Sequence, residues 1–501
     1  MTTTRRKAAL LAGVAAVLLT AMPATAAAAD GAGLDWGVCA GDDLDPRQQC
    51  ATLDVPLDHD DPRGEHIELA VSRIPAADPG ARRGTLMLVP GGPGEPGLSD
   101  PTAAARSLPA EVLNAYDMVS FDPRGVAQST PVSCGLAHED LSLVRLRPWP
   151  APDGSIAENA ENSERIADAC AVHGGPLLHE ISTADEARDI DLIRQALGMQ
   201  RISIWGVSYG TYAGAVYAQL FPDRTDRVVL DSVDDPDPTR VARGWLANYA
   251  VGVEDAFPAF ADWAADPGNP QRLADAPEQV RPLFLDLAAR LDAEPIPWPG
   301  ANPPELSGNS LRQTLLDALY APDRYPRLAE LMHAVLDRTA LPAPNTPPDE
   351  VVQNSAAAIA ATICNDVAWP TDLDTYARGV AASRESHPLT AGMPMNVLPC
   401  AFWPRRAEPP VEITARGPSN VLLVQNLHDP ATPHSGALRM REALGDRARM
   451  VTVAATGHGS YARTGNTCGD RHVTTFLLTG HRPAADTFCP AEPSDAPIGR
   501  R

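Results

Sequence analysis

The sequence predicts an α/β protein with a mostly parallel sheet, crossover helices and a large helical insertion. Three observations carry that prediction. Six short runs, residues 85–89, 118–121, 202–205, 228–230, 421–424 and 450–453, are apolar on both faces and end in a glycine or acidic turn, the pattern of strands covered on both sides. Helical periodicity comes after several of them, as crossovers require. From about residue 240 to 404 the strand pattern gives way to helical segments broken by proline-rich stretches, and it resumes near Asn420.

The first element precedes the fold. Arg5, Arg6 and Lys7 stand before an apolar run at 8–22 and the small residues Ala24-Thr25-Ala26 and Ala27-Ala28-Ala29, which are the three regions of a secretory signal. Residues 1–29 are therefore expected to be removed, with cleavage before Asp30. The run is alanine-rich and shorter than the ~20 residues of a spanning helix, which argues against a retained anchor. Thr4-Arg5-Arg6 hints at twin-arginine export, but the residues after it fit that pattern poorly and the route stays open. Nothing downstream is long and apolar enough to span a membrane.

The chain beyond residue 29 is too long for one core at ~100–200 residues per domain. Residues 30–240 are read as the N-terminal part of the sheet domain, 241–404 as a helical cap and 405–501 as the part that completes the sheet. Within this frame, residues 183–197 read as a capped amphipathic helix ended by Gly198 and 209–221 as an apolar, small-residue helix stopped by Pro222; 278–291 and 310–320 read as helices of the insertion.

Composition narrows the function. With 44% hydrophobic and 21% charged residues the chain is of ordinary globular make-up. Its net charge of −23 becomes more negative once the signal cations are gone, which excludes nucleic acid as a partner, since nothing would neutralise phosphates. Lys7 is the only lysine, so lysine-amine catalysis and a serine–lysine dyad are excluded from the mature chain. The eight cysteines, even in number and without a Cys-x-x-Cys, read as disulfides of an exported protein rather than as zinc or redox ligands. Pairing in sequence order (39 with 50, 134 with 170, 364 with 400, 468 with 489) is the simplest connectivity. No metal site and no cofactor are expected.

Gly206-Val207-Ser208-Tyr209-Gly210 succeeds a strand and opens a helix. A nucleophilic serine needs that setting: a strained strand-to-helix turn lifts the hydroxyl out of the sheet, and the amide of Tyr209 faces the developing oxyanion. The base and acid are expected further along, each after a strand. His458 in Gly457-His458-Gly459 and Asp429 after 421–424 occupy those places, with His458 as base and Asp429 as its orienting acid. His428, His434 and His472 are rivals for the base. Asp231, directly after 228–230, is the rival acid.

The second oxyanion donor is sought in Pro90-Gly91-Gly92-Pro93-Gly94, where adjacent glycines let the backbone approach the substrate; Gly92 is the candidate. His173-Gly174-Gly175-Pro176 has similar composition but comes after a helical stretch, and is read as a loop. Asp122-Pro123-Arg124-Gly125 is read as a structural turn whose Asp122 and Arg124 brace the site.

Together these residues resemble the secreted tripeptidyl aminopeptidases of actinobacteria, relatives of the proline iminopeptidases in the α/β-hydrolase superfamily. The matching motifs are Pro90-Gly91-Gly92-Pro93-Gly94, Asp122-Pro123-Arg124-Gly125, Trp205-Gly206-Val207-Ser208-Tyr209-Gly210-Thr211-Tyr212, Asp429-Pro430-Ala431-Thr432-Pro433 and Gly457-His458-Gly459. An iminopeptidase would carry histidine at position 90 and glutamine at 123, so the tripeptidyl branch fits better. The resemblance implies an α/β-hydrolase core and a serine exopeptidase acting on peptides with a free N terminus, expected to release tripeptides through an acyl-enzyme. The alternatives are a carboxylesterase or amidase using the same triad, single-residue release of the iminopeptidase type, or a non-catalytic binding protein on the same fold.

Such an exopeptidase needs a carboxylate for the substrate's ammonium, roughly 8 to 10 Å from the attacked carbonyl if three extended residues intervene. Asp231 and Asp366 are the candidates put forward, with Asp234, Glu254 and Asp255 behind them. Trp245, Tyr249, Trp369, Phe402 and Trp403 are candidates to line a peptide pocket, although aromatics in such an insertion belong by default to its core.

Overall fold

In the computed structural model, residues 33–237, 245–404 and 409–492 are described. The expected signal, residues 1–29, lies outside them, as do parts of the two expected cap boundaries near 240 and 404. Twelve strands occur among the described residues: β1 (Gly37–Val38), β2 (Gln49–Pro56), β3 (His66–Ile74), β4 (Gly84–Val89), β5 (Tyr116–Phe121), β6 (Ile202–Ser208), β7 (Thr225–Val233), β8 (Ile296–Pro297), β9 (Glu305–Leu306), β10 (Val421–His428), β11 (Ala448–Thr456) and β12 (Thr487–Cys489).

Ten of them form one sheet in the order β1-β2-β3-β5-β4-β6-β7-β10-β11-β12. The pairs from β5 through β12 are parallel, with Met87 beside Ile204, Ile204 beside Val228 and Leu423 beside Met450. β1, β2 and β3 pair antiparallel at one edge, and β3 joins β5 antiparallel. The fold is thus α/β with a mostly parallel sheet, that of an α/β hydrolase. All six apolar runs are strands, each longer than the run itself. The antiparallel edge and β12 are additions to the expected set. The helical insertion differs from expectation in holding a two-stranded ribbon, β8 paired with β9; two residues per strand are too few to leave a period in the sequence.

Side-chain alternation, with period two along a strand, divides the core between the two faces. Met87 and Val89 of β4, Val228 and Leu230 of β7 and Val421 and Leu423 of β10 face one cluster with the helices Thr183–Ala196 and Tyr209–Leu220. Leu86, Leu88, Val229, Leu422 and Val424 face the other, with Val112 and with Phe476 from the helix Thr467–Thr479. This double coverage is why these strands read as unbroken apolar runs.

Between β7 and β10 lie the helices Trp245–Ala265, Pro277–Ala293, Gly308–Leu319, Tyr325–Asp337, Asp349–Asp366 and Leu373–Ser386. The first five share a core around Phe257, Phe260, Phe284, Leu315 and Leu328, while Tyr376 of the sixth packs in a smaller cluster with Val397 and Ala401. Four disulfides close the chain in sequence order, Cys39–Cys50, Cys134–Cys170, Cys364–Cys400 and Cys468–Cys489, the simplest connectivity of those open to eight cysteines. Among the described residues no helix is long and apolar enough to cross a membrane.

Candidate active site

The C-terminal ends of parallel strands are where an open α/β sheet presents its loops to a ligand. Here the ends of β4, β6, β10 and β11 carry the Pro90 loop, Ser208, Asp429 and His458.

Ser208 ends β6 and precedes the helix Tyr209–Leu220, with φ +59° and ψ −132°. A serine held at positive φ carries strain that its surroundings must impose. They do so through close backbone approach. A β-carbon on Gly206 would lie 2.1 Å from the Gly210 carbonyl, and one on Gly210 would lie 2.3 Å from the Val89 carbonyl and 2.7 Å from that of Pro90. Only glycine at both places lets the elbow close and the helix start sit against the end of β4. Thr211 fastens the turn by donating to the Ser208 carbonyl at 2.6 Å.

His458 lies just past β11. Its Nδ1 donates to Asp429 at 3.0 Å (Oδ1) and 3.1 Å (Oδ2). Asp429 is fully buried and also accepts from the amides of Ala431 and Thr432, both at 2.9 Å, and from the Thr432 hydroxyl at 3.1 Å. Burial disfavours the charged imidazole, but the charge and hydrogen bond of Asp429 outweigh it and hold His458 above the usual histidine value. The ring packs edge-on against Tyr320 at 5.0 Å, and its backbone amide donates to the Tyr320 carbonyl at 2.8 Å. Asn426 donates to the carbonyls of Gly457 and Gly459 at 2.9 and 3.0 Å, pinning the loop on either side of the imidazole.

Ser208 and His458 line one cavity of about 640 Å³, together with Gly91, Gly92, Tyr249, Tyr320 and Ile359, a size suited to a small ligand or short peptide. Among the described residues no hydrogen bond joins the Ser208 hydroxyl to the imidazole; such contacts are commonly loose before substrate binds. Gly92 has φ +106°, and Tyr209, one residue past Ser208, is the first residue of its helix, where amides have no intrahelical acceptor. The Tyr209 side chain turns away from the cavity into a buried network, bonding the Thr183 hydroxyl at 2.7 Å and donating to Glu186 at 3.2 Å.

The rival residues lie elsewhere. Asp231 accepts from the amides of Ser460 at 2.8 Å and Tyr461 at 3.0 Å and makes no bond to the imidazole. His428 pairs with Asp255 at 2.9 Å, His434 faces Thr452 at 3.2 Å, and neither they nor His472 line the cavity. Asp231 and Asp366, put forward as ammonium ligands, are also outside its lining. Asp366 accepts from the Thr183 amide at 2.8 Å and hydroxyl at 2.6 Å, and burial pushes it up to about 6. Glu254 pairs with Arg281 at 2.6 Å. Sequence context alone does not reveal that these acids serve strands and helices as internal acceptors.

Of the aromatic candidates, Tyr249 lines the cavity. Trp369 and Trp403 donate to Ile363 and Asn365, Phe402 packs in a small cluster with Tyr376 and Val397, and the side chain of Trp245 lies outside the described part. Asp122 accepts from the amides of Gly97, Leu98 and Gln128, at 2.9, 3.1 and 3.0 Å, and Arg124 holds buried Asp189 with two bonds of 2.7 Å, so this turn anchors the loop that carries Gly92. His173 ends a helix and Gly174-Gly175 joins it to the next turn. The Cys468, His472 and Cys489 cluster offers no thiolate, because its two sulfurs are bonded to each other. Thr432 and Glu95 are site residues that sequence reasoning misses; a hydroxyl three residues after the acid, and an acid within the glycine loop, are the signals that could have found them.

Known proteins resemble the chain along most of its length. Residues 388–489 match the family described as TAP-like protein. A tripeptidyl aminopeptidase of Streptomyces lividans is 33% identical over 476 residues, covering 93% of this chain and 88% of the relative. The serine protease Hip1 of Mycobacterium tuberculosis is 31% identical over 465 residues, 88% and 87% of the two chains. A protein of the same organism named carboxylesterase B is 30% identical over 474 residues, 88% and 86%.

Proposed function

Because this chain belongs to the tripeptidyl aminopeptidase family of serine hydrolases, we propose that it removes short peptides, tripeptides among them, from the free N termini of peptide substrates. The observation that carries the reading is the convergence of Ser208, on its strained elbow, and the Asp429-bonded His458 on one cavity.

Ser208 Oγ attacks the peptide carbonyl while His458 Nε2 takes its proton. Asp429 keeps the proton on Nδ1 and stabilises the imidazolium. The amides of Tyr209 and Gly92 receive the oxyanion, a contribution of about 3–4 kcal/mol for each well-placed donor. The tetrahedral species collapses as His458 returns the proton to the leaving amine, and the fragment remains on Ser208 as an ester. Water, deprotonated by His458, then releases it. Residues 241–404 act in this reading as a cap over a core formed by 30–240 and 405–501, and residues 1–29 as the export signal, in keeping with four disulfides.

The test is hydrolysis of three p-nitroanilides, a free-amine tripeptide, its N-acetylated form and a single proline, by the mature protein and by Ser208→Ala. Cleavage favouring the free tripeptide and lost in the variant is expected. The name of one relative, a carboxylesterase, favours a second reading with the same triad; equal cleavage of acetylated and free substrates would decide for it.

A further inference from the structure

An exopeptidase of this kind must neutralise the substrate's ammonium, and three carboxylates line the cavity: Glu95, Asp100 and Asp317. Two of them are engaged. Asp317 faces Arg147 at 3.7 Å and accepts from Gln313 at 3.1 Å. Asp100 is bonded by the Ser120 hydroxyl at 3.4 Å, and burial pushes its carboxyl up to about 7, so much of its charge is absent near neutral pH. Glu95 is exposed to the cavity, and among the described residues its carboxylate makes neither a hydrogen bond nor an ion pair.

A shared neighbour bounds its distance from the nucleophile. The point that a β-carbon on Gly91 would occupy is 3.4 Å from Ser208 Cβ and 3.7 Å from Glu95 Oε2. The carboxylate therefore lies at most about 7 Å from the serine β-carbon, roughly two extended residues. An ammonium bound to it at ~2.8 Å stands within about 10 Å of that carbon, which three extended residues at ~3.3 Å each just span. The side chain is also well placed in its own loop: Pro93 and Pro96 on either side of Gly94-Glu95 restrict the backbone, and this is the loop whose Gly92 faces the reacting carbonyl. One rigid segment thus presents both an oxyanion donor and a carboxylate.

We propose that Glu95 binds the terminal ammonium of the substrate and thereby limits the released fragment to three residues or fewer. The inference rests on the exopeptidase reading above and adds to it the anchor and the ruler. Bound there, the ammonium gains a charge-assisted partner that an acetylated terminus lacks, and a fourth residue has no room between anchor and nucleophile.

The experiment uses the mature protein with alanine p-nitroanilides of one to five residues, each with a free and an acetylated N terminus, and the variants Glu95→Gln and Glu95→Asp. The wild type is expected to lose activity sharply beyond three residues. Glu95→Gln should lower the free-over-acetylated preference in kcat/KM by about ten- to a hundredfold, mainly through KM, and flatten the length dependence; Glu95→Asp should keep part of the preference. An unchanged preference in Glu95→Gln, or equal release from four- and three-residue substrates by the wild type, overturns the proposal. Equal loss on free and acetylated substrates also overturns it, by showing a role in the loop instead. Absence of any free-amine preference in the wild type overturns the exopeptidase reading itself, a separate outcome.

Discussion

Asp231, at the end of β7, receives the backbone amides of Ser460 and Tyr461, two and three residues beyond the imidazole of His458. The neighbouring Ser232 hydroxyl accepts from Gly459 at 2.7 Å. Two successive residues of one strand therefore hold the loop that carries the proposed base. Asparagine at 231 supplies one acceptor in place of two and turns an amide donor toward a backbone N–H. Asp231→Asn is expected to destabilise the protein by about 1–3 kcal/mol and to lower kcat more than it changes KM. Denaturant unfolding and steady-state kinetics measure the two effects; a change confined to KM would contradict the assignment.

With His458 as the proposed base, its pair with Asp429 should set the acid limb of activity. The histidine must be neutral to accept a proton, and its folded value lies above 6.5 because Asp429 outweighs burial. The midpoint of the acid limb in kcat/KM should accordingly lie above pH 6.5. In Asp429→Asn the main opposition to burial is gone and only the smaller effect of Asp231 remains on that side, so the midpoint should move down while kcat falls about 10⁴-fold, as expected when the tautomer is no longer held. Rate profiles from pH 5 to 9 for both proteins check the direction of the shift.

Behind the Ser208 elbow, Glu186 accepts the Tyr209 hydroxyl through Oε2 while, among the described residues, its buried Oε1 has no partner. Burial, with Asp189 and Asp366 adding to it and Arg124 opposing, pushes this carboxyl from 4.5 up to about 8. In the folded protein it is mostly neutral at pH 7, whereas the unfolded chain ionises it. Its contribution is therefore complete below about pH 4.5 and is lost as the pH rises toward 8, an effect on the order of a few kcal/mol. Glu186→Gln, close in shape to the neutral acid, should reduce the loss of melting temperature between pH 5 and pH 8. An equal loss in the wild type and the variant would mean that the carboxylate is ionised in the fold.

The strands are legible in the sequence where both faces are covered. Residues such as Leu86 to Val89 are apolar without interruption because alternate side chains enter cores on opposite faces. β2 and β3 belong to the antiparallel end of the sheet, and polar positions such as Thr52, Asp54 and Glu68 interrupt their pattern, so a search for unbroken apolar runs passes over them. The contact between Asp429 and His458 is legible for another reason: each comes directly after a strand, and strand order brings their loops together. The acids of the helical stretch and of β7 have no such local signal. Whether a carboxylate meets solvent in a cavity or a backbone amide in the core depends on contacts across more than a hundred residues, as between Asp366 and Thr183. Glu95 is hidden in the opposite way, inside a loop whose glycines already have an explanation.

The helix Asp349–Asp366 lends Val352, Ile359 and Ile363 to the cavity, and the disulfide Cys364–Cys400 ties its C-terminal turn to Pro399–Phe402. The loop closed by this bond spans 36 residues, for which chain entropy alone gives about 4 kcal/mol of stabilisation. Replacing both cysteines by serine should lower stability by up to that amount. The apolar side of the cavity would then be held by helix packing and by hydrogen bonds such as those of Asn365 to Leu178 and Ile181, without the covalent tie, so KM for a free-amine tripeptide p-nitroanilide should rise while the pH midpoint of kcat/KM, assigned to the proposed base His458 and to Asp429 on other elements, stays in place. Parallel kinetics on the Cys39–Cys50 double serine variant, whose bond joins β2 to the chain before it at the sheet edge, supply the contrast: stability should fall there with KM unchanged. Equal changes of KM in the two variants would remove the helix from any part in shaping the cavity.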